Sequence, residues 1–372
     1  MKKQMKILHF HPDGRMAQKF VDPLMEAELK SEYKSNIIIS SNQQFKGQLV
    51  IPFDLCVKNL IKLPYAAIKI FIYYKKNKPN IVISHNSKSS FIPLLVAWCA
   101  GINTRVYFNH GVPFIGYAGI LKWGLKMLER INLKLTTNII TVSQDMQELL
   151  SGISKDKNPR IIHTGSASGL DLELYNVRPY NLEYLRQKYN LSKDDTVIVY
   201  AGRSEKRKGV DLALRLWLEY FQSSQYAHFK LITCGPDRRD LEKLIDVPIP
   251  KNVIPLGFID NIPEVLFISD AIILPSLHEG LSYVCMEAQA SGVVVIANDI
   301  RGIRCLVNDK ISGFLVKENN LKIYAEIIRG IKQDKNANFN MKKRARNNIE
   351  QYSRELFMPK YLQYLLELTN IT

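Results

Sequence analysis

Two glutamates eight residues apart, Glu279 and Glu287, frame the stretch of this chain with the most chemical content. Leu274-Pro275-Ser276-Leu277-His278-Glu279-Gly280 leaves an apolar, strand-like run through a Pro-Ser break and a Glu-Gly turn. A helical pattern follows and carries Glu287. The first turn of a helix leaves N–H groups without intrahelical partners, so the amides of Gly280, Leu281 and Ser282 can receive an anion. A carboxylate on either side accepts from hydroxyls. A phosphate with a sugar attached at each end carries that combination of groups.

A second cluster lies about seventy residues earlier, in Gly202-Arg203-Ser204-Glu205-Lys206-Arg207-Lys208-Gly209. An apolar run ends at a glycine, and basic residues gather before a helix begins. Arginine offers a planar fork of donors suited to phosphate oxygens, and lysine a compact charge. Alone, such a cluster reads as a solvated basic turn. Followed by the paired glutamates, it reads as the cationic half of an anion site. A third element is His110, which closes a strand-like run ahead of Gly111, where the backbone can approach a ligand closely. An imidazole there can hydrogen-bond a sugar hydroxyl or a departing phosphate. His9, His11 and His85 also fall at or near strand ends, and none of these histidines has metal-ligand spacing.

The elements that must position these residues follow one rhythm. Short β-branched runs at Lys6–Phe10, Asn36–Ser41, Ile81–Ser84, Arg105–Asn109, Asn138–Val142 and Arg160–His163 alternate with helical patterns, among them about Ala17–Ser31. The rhythm restarts with Thr196–Ala201, Phe229–Thr233, Val253–Leu256, Ala271–Leu274, Val293–Ala297 and Gly313–Val316. Such alternation predicts parallel sheets covered by helices. The expected class is α/β, two doubly wound Rossmann-like domains facing across a cleft. The first domain is assigned residues 1–167, the second 196–351, with 168–195 as linker and 352–372 as a helix able to return to the first domain.

A chain of 372 residues suits two cores. Five scattered cysteines, never as Cys-x-x-Cys, suggest neither a disulfide frame nor a zinc site. The absence of a leader-like start and of a long apolar run points to a cytoplasmic location. The net charge of +16 is unevenly placed: residues 1–190 hold 26 Lys and Arg against 13 Asp and Glu. That excess suggests an anionic surface or a polyanionic partner for the first half.

The combination Gly202-Arg203…Lys208-Gly209 with Glu279-x7-Glu287 resembles the retaining glycosyltransferases of the GT-B fold, family 4 in type. The likeness extends through Asn252–Phe258, Pro275-Ser276 and Asp309–Val316, with weaker support from Gly14, His110-Gly111 and Ile139–Ser143. It implies a nucleotide-sugar donor, UDP-linked as is commonest in the family, and no metal or other cofactor. By position, Arg203 and Lys208 would neutralise the donor diphosphate, and Glu287 would accept from the ribose. Glu279 would hold the transferred sugar while the Gly280, Leu281 and Ser282 amides contact the distal phosphate. Phe258 and Ile259 would meet the base, and His110 the donor sugar or the charge that develops. Gly14, Arg15 and His85 mark the acceptor side. Where many members have Gly-Gly and then Glu, this chain has Arg301-Gly302-Ile303-Arg304. That pattern is similar to a subgroup that builds bacterial capsule, O-antigen and other lipid-linked glycans. It implies a polyprenyl-diphosphate-linked saccharide as acceptor.

Two basic segments, Leu55–Lys78 and Gly116–Leu135, mix lysines with aromatic and aliphatic residues, as an interfacial helix on anionic lipid requires. They suggest an enzyme peripheral to the inner face of the cytoplasmic membrane. Two competing readings are a nucleotide-sugar epimerase on the same architecture and a non-catalytic nucleotide- or nucleic-acid-binding protein. The first lacks a convincing acid-base set in the first domain beyond Asp13. The second lacks a recognised binding module and any need for Glu279 and Glu287, so no nucleic-acid partner is expected.

Overall fold

The computed structural model of the chain describes residues 4–370, apart from 32, 41–48, 56, 177–180, 246, 332 and 334. It divides into two compact units, Met1–Gly169 with Arg354–Thr372, and Leu170–Ser353.

The first unit holds a seven-stranded sheet. Its strands are β1 (Lys6–His11), β2 (Lys34–Ser40), β3 (Leu49–Ile51), β4 (Ile81–His85), β5 (Thr104–Asn109), β6 (Asn138–Thr141) and β7 (Arg160–Ile161). The second unit holds β8 (Thr196–Ala201), β9 (Phe229–Cys234), β10 (Val253–Gly257), β11 (Ala271–Leu274), β12 (Val294–Asn298) and β13 (Phe314–Val316). Their spatial orders are β3-β2-β1-β4-β5-β6-β7 and β10-β9-β8-β11-β12-β13. Every pairing is parallel. Parallel strands need helical crossovers that cover both faces, which is why β8 and β11 are largely apolar and buried along their whole length. In each sheet the order reverses beside the first strand, between β1 and β4 and between β8 and β11. Such a reversal leaves a crevice at the carboxyl ends of the strands.

The differences from expectation have local causes. The helix expected over Ala17–Ser31 is two helices, Gly14–Phe20 and Asp22–Lys30. Asp13 caps the first by accepting from the Met16 N–H at 3.1 Å, and Pro23 sits in the opening turn of the second, where its missing N–H costs nothing. Strand β3 is three residues long, too short to show a period. Residue 41, the expected end of the second strand, lies outside the described residues. The proposed linker 168–195 contains helices Glu173–Asn176 and Leu182–Lys188, and from Leu170 onward it groups with the second unit; residues 177–180 lie outside the described residues. Leu170 pairs with Ser353, and the Leu170 N–H donates to the Tyr352 carbonyl at 2.8 Å. The last helix, Arg354–Asn370, groups with the first unit, where Tyr361 donates to the Glu28 carboxylate at 2.5 Å and Arg160 pairs with Glu367 at 2.7 Å.

One helix of the first unit is anchored by a buried carboxylate. Glu129, on Gly119–Leu135, is fully buried and accepts from Ser87, from the Tyr107 hydroxyl at 2.8 Å and from the Asn109 amide at 3.1 Å. Burial raises its carboxyl from 4.5 to about 7, against these donors, which favour the charged form. The folded chain thus holds this proton more tightly than the unfolded chain. Its stabilising contribution is complete below 4.5 and is lost as the pH rises through about 7. Between about pH 5 and pH 8 the stability of the native chain should fall relative to Glu129→Gln by on the order of 1–3 kcal/mol. Denaturant unfolding at several pH values measures this, and a pH-independent difference between the two proteins would contradict it.

Candidate functional site

The carboxyl edge of the second sheet brings the two sequence clusters together. The turn after β8 carries Arg203 to Gly209, and the turn after β11 carries Pro275 to Ser282, so both flank the crevice where the strand order reverses. Lys208 donates to both carboxylate oxygens of Glu279, at 2.6 and 2.8 Å. Ser276 also donates to Glu279, at 2.9 Å, and the glutamate is almost fully buried.

Close backbone approach makes this contact possible. Gly209 sits in the left-handed region at φ 73°, and a Cβ there would lie 2.0 Å from the Pro275 carbonyl oxygen. The Leu277 N–H donates to the Arg207 carbonyl at 2.9 Å, tying the same two turns from the other end. Gly302 plays a similar part behind Glu279. At φ 75°, it would place a Cβ 2.7 Å from the Glu279 carbonyl oxygen and 2.8 Å from that of Gly280. In the sequence, Arg301-Gly302-Ile303-Arg304 marks a departure from the common family pattern and a likeness to one subgroup, but not a structural part. Its glycine lets that loop back the Glu279 turn.

The two arginines of the turn share one acid. Arg203 pairs with Glu205 at 2.9 Å and Arg207 with the same carboxylate at 2.7 Å. Burial works to raise the Glu205 carboxyl, but the charges of Arg203 and Arg207 outweigh it and hold the group below its ordinary value. Arg203, Lys206, Arg207 and Lys208 therefore face two carboxylates, Glu205 and Glu279. The turn keeps a cationic surplus at the crevice.

Glu287 lies in the helix Tyr283–Ala290 and is buried, as expected of a residue inside that helix. The amides before it differ from expectation in one respect: the Ser282 N–H donates to the Gly302 carbonyl at 3.0 Å, so it is spent within the protein. Among the described residues the Leu281 N–H has no hydrogen-bond partner. Phe258 is exposed and Ile259 half-buried, both just past β10. Sequence reasoning missed Gly235, at φ 112°, where a Cβ would fall 2.0 Å from the Gly202 carbonyl oxygen. The signal was a glycine directly after the strand ending at Cys234.

In the first unit His110 follows β5 and is partly exposed. Its Nε2 lies 3.0 Å from the Nδ1 of His85. Burial, with His11 nearby, lowers the His110 imidazole to about 3, so the ring is neutral at ordinary pH. His85, expected on the acceptor side, is wholly buried at the end of β4 and lies behind His110 rather than at the surface. Gly14 is buried at the start of its helix and Arg15 is exposed one residue on. Among the described residues no group of three or more His, Cys, Asp or Glu is placed to hold a metal ion.

Residues 183–348 match the family model of the glycosyl transferases, group 1. Over 305 residues the chain is 28% identical to the UDP-Gal:alpha-D-GlcNAc-diphosphoundecaprenol alpha-1,3-galactosyltransferase of Escherichia coli, covering 78% of this chain and 76% of that protein. Over 354 residues it is 27% identical to the capsular polysaccharide biosynthesis glycosyltransferase CapM of Staphylococcus aureus, covering 88% and 89%. The crystal structure of Anabaena Alr3699/HepE in complex with UDP-glucose superposes with a TM-score of 0.79 at 17% identity, covering 98% of this chain and 100% of that one. The chain thus has the GT-B fold, two doubly wound units, and its second unit, with the basic turn joined to the Glu279–Glu287 helix, is similar to the group 1 glycosyl transferases.

Proposed function

We propose that this glycosyltransferase moves a sugar from a UDP-sugar to a polyprenyl-diphosphate-linked saccharide during assembly of a bacterial surface polysaccharide. The observation that carries the reading is the bidentate Lys208–Glu279 contact at the strand-order reversal, beside the start of the Tyr283–Ala290 helix. Lysine has three donors, so Lys208 can keep one on Glu279 and turn the others to the donor diphosphate. Glu279 is then left an acceptor for hydroxyls of the transferred sugar. Arg203 supplies a second cation, Glu287 receives the ribose, and Phe258 and Ile259 lie against the base.

The chemistry is stabilisation of the leaving group. As the bond from the anomeric carbon to the phosphate breaks, charge gathers on the departing diphosphate. Fixed cations and a helix start aimed there lower the barrier, and loss of one such donor costs on the order of 100-fold in rate. No step calls for a metal. The names of the Escherichia coli and Staphylococcus aureus relatives support the UDP donor, the diphosphate-linked acceptor and the polysaccharide setting.

The first unit offers a membrane-facing surface. On the helix Leu63–Asn77, Ala66, Ile70 and Tyr74 face the core, whereas Tyr65, Ile68 and Ile72, with Ile61 just before, are exposed on another side among Lys62, Lys69, Lys75 and Lys76. The opening turns of Gly119–Leu135 leave Ile120 87% and Trp123 63% exposed, with Lys122 and Lys126 beside them. Exposed aliphatic and indole groups among lysines suit the headgroup region of an anionic bilayer. Among the described residues no helix is long and apolar enough to cross a membrane.

Calorimetric titration with UDP should show affinity falling roughly ten- to a hundredfold in Lys208→Ala, the range for a charged hydrogen bond. Because that change leaves Glu279 buried without its partner, Lys208→Ala/Glu279→Gln is measured beside it. Unchanged UDP affinity in both variants would overturn the phosphate assignment. Vesicles containing anionic lipid should retain the chain at low salt, and Ile120→Glu/Trp123→Glu should reduce the bound fraction severalfold. Equal retention of that variant, or none of the native chain, would remove the membrane surface from the account.

A further inference from the structure

The turn that carries the cations of the donor site also carries an acid that occupies one of them. Glu205 bridges two arginines, one on each carboxylate oxygen: Arg203 Nη1 lies 2.9 Å from Oε1, and Arg207 Nε donates to Oε2 at 2.7 Å. The two arms differ. The Arg203 side chain is 65% exposed, against 34% for Arg207. An ion pair as open as the first contributes little to stability and is readily exchanged.

The backbone beneath these side chains is fixed. The Glu205 N–H donates to the Arg203 carbonyl at 2.7 Å, and the Glu205 carbonyl accepts from the Lys208 N–H at 2.8 Å. Tyr200 is buried, and its hydroxyl donates to the carbonyls of Arg203 and Lys208, at 3.4 and 3.3 Å. The Arg207 carbonyl accepts from the Leu277 N–H at 2.9 Å, which ties it to the neighbouring turn. What can rearrange is the exposed guanidinium of Arg203.

Burial works against the charge of Glu205, but Arg203, Arg207 and Lys208 outweigh it and hold the carboxyl below its ordinary value. Glu205 is therefore an anion at neutral pH, already bound to a cation assigned to the donor diphosphate. Phosphate oxygens suit the arginine fork as well as a carboxylate does, and a diphosphate brings more charge. When Arg203 turns to phosphate, Glu205 keeps Arg207 on Oε2, so its charge is not left unpaired beside the ligand.

We propose that Glu205 is a resident competitor of the donor diphosphate, holding Arg203 in the free chain, yielding it on binding and taking it back as the nucleoside diphosphate leaves; this rests on the phosphate reading above. Glu205 acts through Arg203 and touches no ligand. It is a positioning residue that weakens the hold on the product and speeds its release. Arg207 acts one step further away, by occupying one oxygen of Glu205. A base beside the site thus serves the acid rather than the ligand.

Calorimetric titration of the full chain with UDP at low ionic strength tests this, with uridine as the ligand that lacks phosphate. Glu205→Gln should bind UDP about two- to fivefold more tightly, the equivalent of an exposed ion pair, and release it more slowly. Damaged folding cannot produce such a gain. Arg207→Gln should bind UDP more weakly by a similar factor, since Glu205 then holds Arg203 alone. Glu205→Gln/Arg207→Gln should match Glu205→Gln, and Glu205→Gln should bring no gain in an Arg203→Gln background. Uridine affinity should be the same in all of them, and the differences for UDP should shrink at high salt. UDP bound equally or less tightly by Glu205→Gln, or a gain that persists without Arg203, would overturn the exchange. So would an Arg207→Gln loss that survives removal of Glu205, which would place Arg207 on the ligand. UDP affinity that falls in Lys208→Ala but ignores Glu205 would overturn the exchange alone. Affinity indifferent to both residues would overturn it together with the phosphate reading.

Discussion

The bidentate contact between Lys208 and Glu279 is the interaction on which the donor side of this molecule depends. It joins the loops after two neighbouring parallel strands, and it forms only because two backbones touch at Gly209 and Pro275. A side chain at Gly209 would separate the turns and with them the charges. The pair also solves an electrostatic problem. An almost fully buried carboxylate is costly unless paired, and a basic turn with four cations would repel itself without acids set into it. Glu205 and Glu279 serve that purpose while leaving a surplus of positive charge for an anionic ligand.

The first unit uses buried carboxylates in another way. Glu28 lies under the strand ends with His9 and Tyr361, and Glu129 fixes a helix through Ser87, Tyr107 and Asn109. Both are fully buried, and each oxygen of both carboxyl groups has a hydrogen-bond partner. Glu28 meets His9 at the inner end of a line of rings in hydrogen-bond contact that runs through His85 to His110. Glu129 holds the inner face of a helix whose opening turns expose isoleucine and tryptophan. The last helix, though it follows the second unit in sequence, supplies the tyrosine that orients Glu28.

The alternation of β-branched runs with helical patterns placed twelve of the thirteen strands within a residue or two, because buried parallel strands require continuous apolar runs. It missed Leu49–Ile51, where three residues carry no period. The pairing of Lys208 with Glu279 was not legible, since a spacing of 71 residues says nothing about which side chains meet. Nor were the parts of Gly235 and Gly302, which depend on backbone contacts between distant loops. His9 and His85 could be seen at strand ends, but only the order β1-β4-β5 brings them into line with His110. His85, the last residue of β4, is wholly buried, which its place at a strand end did not reveal.

The central claim is sugar transfer with retention from a UDP-sugar to a diphosphate-linked saccharide. Its most direct test is incubation of the purified chain with a panel of UDP-sugars and a short-chain polyprenyl diphosphate saccharide, with NMR of the anomeric centre formed. The account predicts one new glycosidic bond whose anomeric configuration matches that of the donor. An inverted linkage, or an epimerised nucleotide sugar with the acceptor untouched, would contradict it.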